Sequence, residues 1–151
     1  MANKTLWFAE SASARMTTQL DALADNGIAV DVGDYANHTN LFRYADFLLK
    51  ANDFAAAPSA NALFELHIFY KLDTTNYGDG EDGDVGAPTP TGNSLHGIFR
   101  IEDAAGVQFQ QVIGVRLSPF AFRTCLVNKC GQALAATGST LNMYPYNENL
   151  Q

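Results

Sequence analysis

Residues 62–72, ALFELHIFYKL, constrain this chain more than any other stretch. Ala62, Phe64, Leu66, Ile68, Tyr70 and Leu72 fall on one side of an extended chain, and Leu63, Glu65, His67, Phe69 and Lys71 on the other. Side chains that alternate with a period of two belong to a β-strand. One side is almost wholly apolar, so the strand is half-buried and needs a second layer to cover it.

Similar stretches recur along the chain. LFRYADFLLK (41–50), SLHGIFRIED (94–103), VQFQQVIGVRL (107–117), AFRTCLVN (121–128) and STLNMYP (139–145) each read as strands. Turn residues separate them: Ala-Ala-Pro-Ser at 56–59, Asp-Ala-Ala-Gly at 103–106, Ser118-Pro119 and Cys130-Gly131. Short strands at roughly even spacing predict a mainly β fold of about six to eight strands, an antiparallel sandwich drawn as a two-sheet jelly roll. One helix is expected, within SASARMTTQLDALADNG. There Met16, Leu20 and Leu23 share a helical face, Ser11 or Ser13 can cap the start, and Asn26-Gly27 can end it.

A chain of 151 residues fits one domain. Within it, 28–145 is expected to form the sandwich, 1–10 an N-terminal arm and 146–151 a C-terminal tail. Nine basic against sixteen acidic residues give a net charge of −7, which argues against a nucleic-acid partner. No window approaches the ~20 apolar residues of a membrane span. The opening MANKTLWFAESASARM lacks the apolar run of ~7–15 residues of a secretory signal, so synthesis in a cytoplasm is expected.

The stretch most suggestive of a ligand is GDGEDGD. Asp79, Glu81, Asp82 and Asp84 stand among glycines. An EF-hand loop needs oxygen ligands at positions 1, 3 and 5, glycine at 6 and glutamate at 12. Starting from Asp79, position 5 is Gly83 and position 6 is Asp84; starting from Asp73, position 5 is Tyr77. Neither frame fits. Clustered carboxylates can attract a hard cation without fixed spacing, but the favoured reading is a solvated hairpin tip.

Other chemistry is sparse. Cys125 and Cys130 have none of the paired spacings of a zinc site and are read as unlinked thiols. Glu65 and His67 share a strand face and could form half of a metal site, though hydrogen bonding or exposure is the plainer reading for the histidine. GNSLHG (92–97) has its second glycine one residue too late for a nucleophile elbow. No glycine-rich cradle for a phosphate or dinucleotide occurs. No enzyme, cofactor or metal is expected. Ten Phe, six Tyr and one Trp exceed what a single core requires. Trp7, Phe8, Tyr77, Tyr144, Pro145 and Tyr146 are therefore the candidate interface residues.

Several strings, in fixed order from about Asp34 to Glu148, carry a resemblance. They are LFRYADFLLKAND, APSANALFELHIFYKLDTTNYGDG, GNSLHGIFRI and LVNKCGQALAATGSTLNMYPYNEN. The chain resembles a group of small tailed-phage virion proteins. The resemblance implies a jelly-roll decoration, or cement, protein on the capsid exterior. Its implied partners are the major capsid protein and other copies of itself, as a homotrimer or dimer. The rival expectation is a receptor- or carbohydrate-binding sandwich of a head fibre or tail, using Tyr77 and the acidic loop.

Overall fold

The computed structural model of the chain describes residues 5–9, 11–54, 56–73, 76–78 and 90–150, with side chains described between 11 and 148. Among the described residues nine strands appear in chain order: β1 Thr5–Ala9, β2 Ser13–Met16, β3 Ile28–Val30, β4 Tyr44–Ala51, β5 Leu63–Tyr70, β6 Leu95–Arg100, β7 Gln108–Arg116, β8 Phe122–Lys129 and β9 Thr140–Leu150. All named pairings are antiparallel. One sheet runs β1-β9-β4-β7, with β2 also on β9, and the other runs β3-β8-β5-β6. The fold is a mainly β sandwich, as the alternating stretches predict. The acidic stretch 79–84 lies outside the described residues.

Alternation explains the layering. In β4, Ala45, Phe47, Leu49 and Ala51 are buried while Tyr44, Asp46, Leu48 and Lys50 are not. Phe47 and Leu49 join Leu141 and Met143 of β9 on the inner face of the first sheet. Opposite them, Phe64, Leu66, Ile68, Phe99, Phe122 and Leu126 line the second, in one continuous core. Tyr35 and Tyr70 flank Phe122, with ring centroids 5.3 and 5.8 Å away.

The N-terminal segment differs from expectation. Where a helix is predicted, the chain forms β2 and then a single 3-10 turn at Thr18–Leu20. Met16, Leu20 and Leu23 are nonetheless all buried in the core. Their spacing marks burial rather than a helical period. Two successive threonines, Thr17 and Thr18, weaken the propensity for a longer helix, and the edge of β9 pairs with Ser13–Met16 as a strand instead.

The expected arm and tail are likewise strands at the backbone level. β1 pairs with β9 from Thr5↔Leu150 to Ala9↔Tyr146, and β9 continues well past 146. Pro145 explains why β1 and β2 are separate. A proline cannot donate to a ladder, and it falls between the pairs Ser13↔Met143 and Ala9↔Tyr146, where the neighbouring strand is broken.

The sheets approach most closely at β6 and β7. A Cβ on Gly97 would lie 2.5 Å from Cγ1 of Val112, so only glycine fits there. Gly97→Ala should therefore cost roughly 1–3 kcal/mol through overpacking. Adding Val112→Ala should recover part of that loss in urea unfolding, whereas strictly additive losses would place the strain elsewhere.

Candidate functional site at the loop end of the sandwich

Residues 31–43, 71–73, 76–78 and 117–121 meet at one end of the sandwich, where the Asp34 carboxylate ties the first segment to Lys71, Tyr77 and Arg123 and Asn37 ties it to Ser118. Past β5, the side chain of Asp73 accepts the Asn76 N–H at 2.8 Å, and the Leu72 N–H donates to the Asn76 carbonyl at 2.8 Å. This tight reversal returns Tyr77 beside Lys71, where the two form a bridge. Asp34 lies across from them. Its Oδ1 accepts from the Tyr77 hydroxyl at 2.5 Å and from Arg123 Nε at 2.8 Å, and its Oδ2 from Lys71 Nζ at 2.7 Å. Both cations also lie over the Tyr77 ring, Lys71 at 5.6 Å and Arg123 at 4.8 Å from its centroid. Burial by itself would raise the Asp34 pKa, but the three donors and the Lys71 charge outweigh it, and the carboxyl is held below its ordinary value.

A second buried pair stands beside the first. Arg15 of β2 forms an ion pair with Asp31, donates to the Gly33 carbonyl at 2.8 Å and lies over the Tyr35 ring. Asp31 also accepts from the Gly33 N–H and the Thr124 hydroxyl. Burial is the largest influence on this carboxyl and raises its pKa, with Arg15 acting in the opposite direction. Asn37 completes the frame: its side-chain amide donates to the Phe42 and Ser118 carbonyls and accepts the Phe42 N–H.

Around this polar floor opens a cleft of about 610 Å³, lined by Ala36, His38, Leu72, Asp73, Phe120 and Ala121. Leu72 is 66 % exposed and Phe120 50 % exposed at its rim. Leu72 and Phe120 thus form an apolar rim over a floor in which one carboxylate is shared by two cations.

Elsewhere, Glu65, His67 and Ser94 fall in a row that superficially resembles a catalytic triad. Its polarity is reversed. The Ser94 hydroxyl donates to the Thr91 carbonyl at 2.9 Å and accepts the Thr91 N–H at 3.1 Å. Its single proton is thus committed, and at 3.0 Å from His67 Nδ1 it accepts rather than donates. His67 Nε2 then lies 3.5 Å from Glu65 Oε2, longer than an ordinary hydrogen bond. Serine and histidine are both buried, and burial is the main reason the imidazole pKa is lowered. No group of three or more metal-ligating side chains occurs among the described residues.

The candidate interface residues have separate fates. Tyr77 is only 5 % exposed and packs with Phe69, Cys125 and Val127 on the outer face of the second sheet. Its expected place at an exposed interface is corrected, because Asp34 and the two cations draw it inward. Pro145 is buried. Tyr144 and Tyr146 are half-buried on the outer face of the first sheet, and Tyr146 stacks on Tyr44 with centroids 5.6 Å apart. The backbone of Trp7 lies opposite Glu148 and that of Phe8 opposite Asn147; their side chains lie outside the described residues. Asp34, Arg123, Tyr44, Phe109 and Ile113 carry no periodic or motif signal that would single them out beforehand. Cys125, on the outer face of β8, and Cys130, just past its end and in the main core, are unlinked. Burial pushes the Cys130 thiol up to about 12. No protein-family model matches the chain, and no curated protein matches it.

Two predictions follow from this geometry. Asp34→Asn leaves two cations facing a neutral amide and should lower stability by ~1–3 kcal/mol, below the cost at a fully buried pair because the carboxylate is 22 % exposed. In the native protein, Asp34's contribution is held above the unfolded carboxyl value of 3.8 and lost as pH falls through the lower folded value. Unchanged urea unfolding at neutral pH would show that the loops do not depend on this carboxylate.

His67 has the same acid sensitivity in a higher range. Its folded pKa lies below the ordinary 6.5, so the unfolded chain takes up the proton first and stability falls as pH drops below about 6.5. In His67→Gln, the slope of unfolding free energy between about pH 7 and pH 5 should flatten. An unaltered slope would assign the acid sensitivity to other groups.

Proposed function

We propose that this chain is a structural virion protein that binds the outside of a tailed-phage head and stabilises the shell. In this reading it contacts the major capsid protein and further copies of itself. The strings that carry the resemblance fall on β4, β5, β6, β8 and β9 and on their connections. The order β1-β9-β4-β7 facing β3-β8-β5-β6 supports the jelly-roll form of the sandwich.

The observation that carries the proposal is the set of apolar side chains exposed on a rigid frame. Leu72 and Phe120 stand at the loop end, and Phe109 and Ile113 on the outer face of β7. Exposed apolar groups held by buried networks suit docking to a preformed surface, since little order is lost on binding. A protein that binds the closed shell but not its loosened state stabilises it by mass action. Many copies on one lattice multiply a modest contact. The rival receptor-binding reading used Tyr77, whose ring and hydroxyl are occupied within the chain.

Purified protein mixed with expanded, undecorated heads should co-sediment to a saturating ratio and raise the melting temperature of the shell. Failure to bind heads, together with binding to host glycans or cells, would replace this reading with its rival.

A further inference from the structure

We propose that β7 is a self-association edge, through which two copies pair antiparallel about a two-fold axis at Gln111. This specifies the self-association contained in the proposed function and rests on that reading only for its biological setting. Within its sheet, β7 is hydrogen-bonded to β4 and ends the strand order. Alternate backbone N–H and C=O groups of such a strand face an open side and can template another strand. β6 of the facing sheet meets β7 through the inward side chain of Val112, not through backbone pairing.

The composition of β7 favours a second copy as the occupant. Each chain carries a net charge of −7, so two copies can approach closely only along a strip without carboxylates. QFQQVIGVR contains no acid, lysine or proline. Its one charge, Arg116, lies beyond Gly114, whose φ of +68° marks a bulge against β4. The carboxylate of Asp46 beside that bulge is committed to the Gly114 N–H at 2.8 Å. Residues 108–112 pair with β4 without a break in register.

Spacing supplies the axis. Phe109 is 62 % exposed and Ile113 is 67 % exposed, each two residues from Gln111 and on the same outer side as it. If Gln111 pairs with its own copy, Phe109 of one chain falls opposite Ile113 of the other, twice over. Aromatic and β-branched residues directly opposite one another are stabilising cross-strand pairs. A contact that repeats itself about a two-fold axis closes on itself and does not propagate. Two other sheet-edge strands are poorer candidates: β3 has three residues, and β6 shifts register at His96 and ends in Arg100.

Sedimentation of the purified full-length protein without capsids should show a dimer. Ile113→Lys should weaken it by about tenfold or more while leaving circular dichroism unchanged, because the strip then carries like charges. Gln111→Cys should give a covalent dimer on mild oxidation, and Arg100→Cys should not; the two native thiols are both buried. A wild-type monomer at high concentration, or an oligomer unaffected by Ile113→Lys, would overturn the pairing. Since no shell is present, these results stand apart from success or failure in binding heads.

Discussion

The carboxylate of Asp34 holds together segments that share no strand. One donor comes from the chain just past β5, one from the reversal that follows, and one from β8. Hydrogen bonds to a charged acceptor are about twice as strong as neutral ones, and here three converge on two oxygens. Two cations for one anion would be costly to bury. The Tyr77 ring lessens that cost by presenting its negative face to both. The apolar rim at Leu72 and Phe120 stands on this braced base.

The neighbouring carboxyl, Asp31, shows how environment divides like residues. Both acids face an arginine, yet Asp31 is pushed up by burial while Asp34 is held down by its donors. Each accepts three hydrogen bonds, so the difference lies in burial: the Asp31 side chain is 5 % exposed and that of Asp34 22 %. As pH falls, Asp34 and His67 both favour unfolding, while Asp31, which binds its proton more readily in the folded state, opposes them. The fold therefore carries opposing titrations rather than a single titrating switch.

Six strands were legible beforehand because one face of each is apolar and the period of two survives in the sequence. The helix expected at 11–26 fails for a reason visible in its neighbours. Met16, Leu20 and Leu23 are buried against β-strands, and three apolar residues at that spacing occur as readily along a strand and turn as along a helix. β1 and β3 are short and lack alternation, so nothing local announces them. Their conformation follows from the edges of β9 and β8 that they cover. Tyr77 was legible as an aromatic near a loop, but its inward position depends on Asp34, forty-three residues earlier.

By itself the sequence determined the layered β architecture, the positions of the longer strands and the failure of the acidic stretch to meet calcium-loop spacing. Those features depend on side-chain alternation and local turn chemistry, which a neighbour a few residues away can specify. Tertiary structure alone decided which polar groups are spent internally: Asp34 on three donors, Ser94 on Thr91 and His67, Asn37 on Phe42 and Ser118. It also decided that Phe109 and Ile113 remain outside on an open edge. Such assignments depend on partners brought together from distant parts of the chain, and no local pattern records a hydrogen bond that forms only when two sheets close.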